Sequence, residues 1–114
     1  MNIEIGKKYL VNGEYVEALA YNEGKEVVMV KETDGNLMFV LGSFDIKDNK
    51  IISNNRMSYT VTETEILDCI NSYLTDNGID SPTTIDMVVK AVRNTYYQIP
   101  TYIAEVIAEW YMRQ

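Results

Sequence analysis

The hydrophobic period of this chain changes once, near Thr62, from two to about 3.6 residues. Residues before that point can line a pleated sheet and residues after it one face of a helix, and neither pattern serves in the other's place. Before Thr62, KKYLV and EYVEALAY flank Asn12-Gly13, a dipeptide that supplies the positive φ angles of a two-residue hairpin turn. Glu23-Gly24 then leads into KEVVMVKE, and Asp34-Gly35-Asn36 into LMFVLG. SFDIK, the turn Asp48-Asn49, KIIS, an interruption at Asn54-Asn55 and RMSYTV complete the pattern. VVMV and LMFVL are nearly continuous apolar runs, which places them inside the sheet. The alternation in EYVEALAY is imperfect, as expected of a strand covered on both faces.

After the change of period, Thr62 and Glu65 have the spacing of a capping box. Ile66, Leu67, Ile70, Tyr73 and Leu74 form one stripe, and Gly78 stops the helix. Ser81-Pro82 reads as a second start, with the stripe Ile85, Val88, Val89, Val92 and Tyr96. Pro100 opens a third helix with the stripe Ile103, Val106, Ile107 and Trp110, leaving Ala104, Ala108 and Tyr111 away from it. The expected fold is α+β: an N-terminal antiparallel β-meander of five to six strands, curled or closed into a small barrel, followed by about three C-terminal α-helices. The chain is expected to be a single domain, 1–114, with a β layer over 1–62 and a helical layer over 63–114, because neither half alone buries much surface.

The 114 residues include no histidine. That removes triads of the usual kind, histidine-ligated metals and the commonest general base, so a non-enzymatic protein is expected, with no cofactor and no metal. Carboxylate or tyrosine chemistry is what an enzyme would have left. The single Cys69 lies in an apolar stripe and reads as a small buried hydrophobe. No apolar run approaches the roughly 20 residues that span a bilayer, and MNIEIGKKYLVNG lacks the apolar region of a signal peptide, so a cytoplasmic protein without membrane contact is expected.

The formal net charge is −7 and unevenly spread. From Glu63 onward, Glu63, Glu65, Asp68, Asp76, Asp80, Asp86, Glu105 and Glu109 face only Lys90, Arg93 and Arg113. Phosphate neutralisation supplies most nucleic-acid affinity, so binding of DNA or RNA is not expected and a basic protein partner fits better. The segment EILDCINSYLTDNGIDSPTTIDMVVKAV resembles the opening helices of winged-helix DNA-binding domains. The loop RNTYYQIP is long, however, and the third helix carries Glu105 and Glu109 where a recognition helix is basic or polar. Asp76, Asp80, Asn77 and Asn71, and separately Asp45 with Asp48, are acid and amide groups of the kind that bond locally at turns and helix ends. Gly42 reads as a bend.

The candidate ligand- or partner-binding residues are Arg93, Tyr97, Tyr102, Tyr111 and Arg113. The arginines offer a planar fork for phosphate or carboxylate, and the tyrosines combine apolar area with a polar tip. A homo-oligomer is expected, acting on a protein partner as an accessory protein of a phage or mobile element that inhibits a host defence protein or neutralises a toxin. The alternative is a sponge that sequesters a small nucleotide at a subunit seam. In layout, sheet first and helices last, the chain resembles phage proteins that sequester cyclic nucleotide signals.

Overall fold

A computed structural model describes residues 3–41, 45–53, 55–81 and 84–114, with only the backbone of Asp45 and Ile46. Gly42, Asn54 and Pro82 lie outside the described residues. The fold is α+β, with strands first and three helices last. The chain divides into two compact units, Met1–Thr62 and Glu63–Gln114, at the point where the hydrophobic period changes.

The first unit holds β1 (Lys8–Val11), β2 (Glu14–Asn22), β3 (Val27–Lys31), β4 (Asn36–Leu41), β5 (Asp45–Lys47), β6 (Lys50–Ile52) and β7 (Asn55–Thr62). They form one sheet in the order β5-β6-β1-β2-β3-β4-β7. All neighbours are antiparallel except β1 and β6, which pair in parallel at Leu10 and Lys50. The Asp48-Asn49 turn stands between the two shortest strands, β5 and β6, of three residues each. Asn12 and Gly13, at φ 50 and 83, and Asp48 and Asn49, at φ 52 and 62, both make two-residue turns with positive φ. The imperfect alternation of β2 has a bulge as its cause: the register with β3 shifts between Ala18 and Ala20, leaving Leu19 as the extra residue.

Two short links force this sheet to curl. Adjacent strands lie about 4.8 Å apart, so five strand spacings on a flat sheet put β4 about 24 Å from β5, and β6 equally far from β7. The chain from Leu41 to Asp45 reaches at most about 15 Å, and from Ile52 to Asn55 about 11 Å. Only a curled sheet brings those strand ends within reach. Among the described residues its two edges, β5 and β7, have no ladder between them, so the sheet is curled but not closed. The Ser53 hydroxyl sits at this seam, 3.0 Å from the Leu41 carbonyl and 3.2 Å from that of Asn55.

The inner face packs on itself. Tyr9, Val11, Val16, Ala18, Val28, Val30, Met38, Val40 and Ile51 form one buried cluster, with Ile3 and Tyr21 against it. The Glu4 backbone N–H donates to the Tyr9 hydroxyl at 3.0 Å, which ties the amino-terminal segment to that cluster. On the other face Ala20, Val27, Met29, Leu37, Phe39 and Leu41 are buried as well, so the near-continuous apolar runs of β3 and β4 follow from burial on both sides. The Phe39 and Tyr59 rings meet edge to face with centroids 5.8 Å apart.

The second unit holds α1 (Glu63–Asp76), α2 (Ile85–Thr95) and α3 (Thr101–Met112), with α2 packed against both others. β7 passes into α1 with no residue between them. Gly78, at φ 67, ends α1: its N–H donates to the Thr75 carbonyl and that of Ile79 to the Leu74 carbonyl, the paired bonds of a Schellman motif. The cap of α2 is Thr84 rather than Ser81. Its side chain accepts from the Met87 N–H at 3.3 Å, so the helix begins three residues later than Ser81-Pro82 suggests. Ile103, Val106, Ile107 and Trp110 are buried as the stripe requires. Ala104 and Ala108 are buried too, which corrects their placement away from the stripe: a side chain of one carbon lets a neighbouring backbone approach on a face that periodicity alone leaves polar.

Replacing Phe39 by alanine is expected to lower stability by about 3–5 kcal/mol, and Gly78 by alanine by about 1 kcal/mol because its left-handed φ penalises a Cβ. Urea denaturation of both variants checks this. Equal losses at the two sites would contradict the ranking.

Candidate functional site

Arg93 lies in the last turn of α2, and its guanidinium is turned onto the chain that follows. Nε donates to the Ile99 carbonyl at 3.0 Å and Nη2 to the Tyr97 carbonyl at 3.2 Å. These bonds hold the connection into α3, where Ile99 is buried and the Ile99 N–H donates to the Tyr96 carbonyl at 3.0 Å. Arg93 is thus engaged in shaping a loop. Tyr97 is 69% exposed and Tyr102 43%, on that loop and the first turn of α3.

Tyr111 and Arg113 lie at the other end of the same helix. At a rise of 1.5 Å per residue, Tyr102 and Arg113 are separated by about 16 Å along the axis. The half-buried Tyr111 donates its hydroxyl to Asn71 Oδ1 of α1 at 2.8 Å and lines a 430 Å³ cavity with Leu67, Asp80 and Met112. Arg113 is exposed and caps α3. The five candidates therefore fall into two groups, Arg93 with Tyr97 and Tyr102, and Tyr111 with Arg113, and do not surround one site.

The larger concavity of this unit runs between α1 and the end of α2. It is an open groove of about 730 Å³ lined by Glu65, Asp68, Asp76, Cys69, Tyr73 and Tyr96, with Ser72, Asn77, Asn94 and Thr95 completing it. None of these lining residues is basic. Glu65, Asp68, Cys69, Ser72 and Asp76 recur at three- and four-residue steps, so one face of α1 carries them all into the groove. Cys69 is half-buried rather than fully buried, and its thiol donates to the Ala91 carbonyl of α2 at 3.4 Å. Burial, then Cys69 and Glu65, hold the Tyr96 phenol above its ordinary value, so it remains a neutral hydroxyl. The groove offers carboxylates, hydroxyls and the faces of two phenol rings.

A second polar cluster, which sequence reasoning missed, lies at one end of the curled sheet. Glu14 opens β2, Glu32 follows β3, and Arg56 and Ser58 come from β7. Together with Asn12, Val11 and Met38 they line a cavity of 200 Å³. Glu14 Oε2 accepts from the Thr33 N–H at 3.2 Å, and the Thr33 hydroxyl donates to the Tyr15 carbonyl at 3.4 Å. The Glu32 carboxyl is held above its ordinary value of 4.5 by burial first, then by the charges of Glu14 and Asp34; a hydrogen bond from Ser58 opposes this and one shared with Glu14 adds to it. The Arg56 guanidinium faces the Asn12 side-chain amide. Period-two alternation continues Val16 to Glu14 and Val30 to Glu32 on the inner face, which was the available signal, but only the curl brings β7 opposite them.

Neither a protein-family model nor a curated protein nor a solved structure matches the chain. Among the described residues, no helix is long and apolar enough to cross a membrane.

Replacing Arg93 by lysine is expected to cost about 1 kcal/mol, read as a lower melting temperature, because one ammonium does not reproduce two bonds made from a planar fork. An unchanged melting temperature would remove the loop-holding role. For Glu32, the folded value lies above the unfolded one, so the folded chain binds more protons between the two and stability falls as pH rises through that window. Glu32→Gln is expected to raise the melting temperature near pH 7 and to converge with the parent near about pH 4, the gain being on the order of 0.2–1 kcal/mol. A variant less stable at neutral pH would contradict the assignment.

Proposed function

We propose that the protein is a non-enzymatic binding protein that takes a basic segment of a protein partner into the groove between α1 and α2. Its role would be that of a phage or mobile-element accessory protein, inhibiting a host defence protein or neutralising a toxin. The observation that carries this reading is the groove lining itself: Glu65, Asp68 and Asp76 beside the rings of Tyr73 and Tyr96, with no basic residue among the side chains that form it. Lysine and arginine side chains gain there from carboxylates and from the negative face of an aromatic ring. The surplus of acids on the helical unit raises the local concentration of such a partner and speeds its arrival. Tyr97 and Tyr102, both exposed, suit a contact between copies of the chain. The nucleotide-sponge reading has less support, since Arg93 is already bonded to two loop carbonyls.

Titration with a lysine- and arginine-rich peptide, followed through the amide signals of Cys69, Tyr73 and Tyr96, tests this. Saturable shifts that weaken with added salt are expected, together with a loss of about tenfold or more in affinity when Glu65 and Asp68 are both changed to lysine. Equal binding of an acidic peptide of the same length, or undiminished binding by the double variant, would sink the reading.

A further inference from the structure

The 200 Å³ cavity at the end of the curled sheet has a negative wall and a positive wall that do not meet. Glu14 and Glu32 line it together on one side. Arg56 lines the same space, yet among the described residues it makes no ion pair with either carboxylate, and its guanidinium faces the Asn12 amide instead. Backbone pairing keeps the two walls apart. Val40 opposite Arg56 fixes the β7 side, Val11 opposite Glu14 fixes the β2 side, and the Glu32 N–H donates to the Asn36 carbonyl at 2.9 Å. Val11 and Met38, both buried, supply apolar surface to the same cavity.

We propose that this cavity binds a small free α-amino acid, with its ammonium between Glu14 and Glu32, its carboxylate on Arg56 and its side chain over Val11 and Met38. An ammonium brings three donors to two carboxyls that otherwise oppose each other's ionisation, and a carboxylate matches the fork of a guanidinium. Burial first, then the charges of Glu14 and Asp34, push Glu32 toward its protonated form, and an ammonium beside it would oppose that push. The space is below the range of roughly 300–1,000 Å³ typical of drug-sized ligands, which suits a molecule of amino-acid size better than a nucleotide. The charges of an α-amino acid lie one carbon apart, short enough for both to be met inside a cavity this small.

The test is a nuclear magnetic resonance titration of the full chain with L-alanine, read at the methyl groups of Val11 and Met38. L-alaninamide, which lacks the carboxylate, and propionate, which lacks the ammonium, serve as the two comparison ligands. Saturable shifts with alanine are expected, and binding weaker by about tenfold or more for each comparison ligand. Arg56→Met should bring alanine down to the level of alaninamide, and Glu32→Gln down toward that of propionate. The absence of saturable shifts with alanine would overturn the proposal, as would equal binding of alanine and alaninamide by the parent protein, a comparison that needs no variant to fold. The helical groove takes no part in this measurement, so its outcome is independent of the peptide titration.

Discussion

The β unit depends on one covalent constraint. Two links too short to cross a flat sheet, Leu41 to Asp45 and Ile52 to Asn55, join strands that are five places apart in the hydrogen-bonding order. The curl they impose lets the inner face bury itself, so Val11, Val16, Val28, Val30, Met38 and Val40 become a core without help from another layer. The same curl sets the polar residues that continue those rows at one end of the sheet opposite one another. Glu14, Glu32, Ser58 and Arg56 come from three separate stretches of chain and converge because the strands beneath them do. The bulge at Leu19 works in the same direction, since an extra residue raises the local twist of β2 where the sheet has to bend.

The helical unit is organised by terminations rather than by a closing constraint. Gly78 ends α1 with a pair of backbone bonds, Thr84 starts α2, and Arg93 clamps the connection into α3 by its carbonyls. These local devices set α1 and the end of α2 beside each other. The acidic face of α1 therefore forms one wall of a groove, with Tyr96 at the end of α2 on the other side.

Where each element begins and ends was largely legible, because turn and cap chemistry is local. Asn12-Gly13, Asp34-Gly35-Asn36, Asp48-Asn49 and Gly78 each mark a change of direction that needs an uncommon φ or a side chain bonding its own backbone. The exceptions have local causes as well. Thr84 caps α2 in place of Ser81, since threonine and serine hydroxyls accept from a helix's first amides alike and residue type does not separate them. Ala104 and Ala108 are buried although they fall outside the apolar stripe, since alanine is compatible with either side of a helix and a neighbour decides which it meets.

The five residues singled out for binding illustrate the limit of spacing as a guide. Helical periodicity identified Tyr97 and Tyr102 as side chains left outside the core, and both are exposed. It could not show that Arg93 bends back onto carbonyls four and six residues ahead, or that Tyr111 reaches Asn71 across forty residues of chain. By itself the sequence determined the fold class, the point where strands give way to helices, the local turns and the acidic character of the helical half, because each rests on period, composition or near neighbours. Tertiary structure alone decided the curl of the sheet, the facing of Glu14 and Glu32 with Arg56, and the groove between α1 and α2. Those depend on which distant residues meet, and side-chain pairing across a folded surface leaves no regular spacing in the chain.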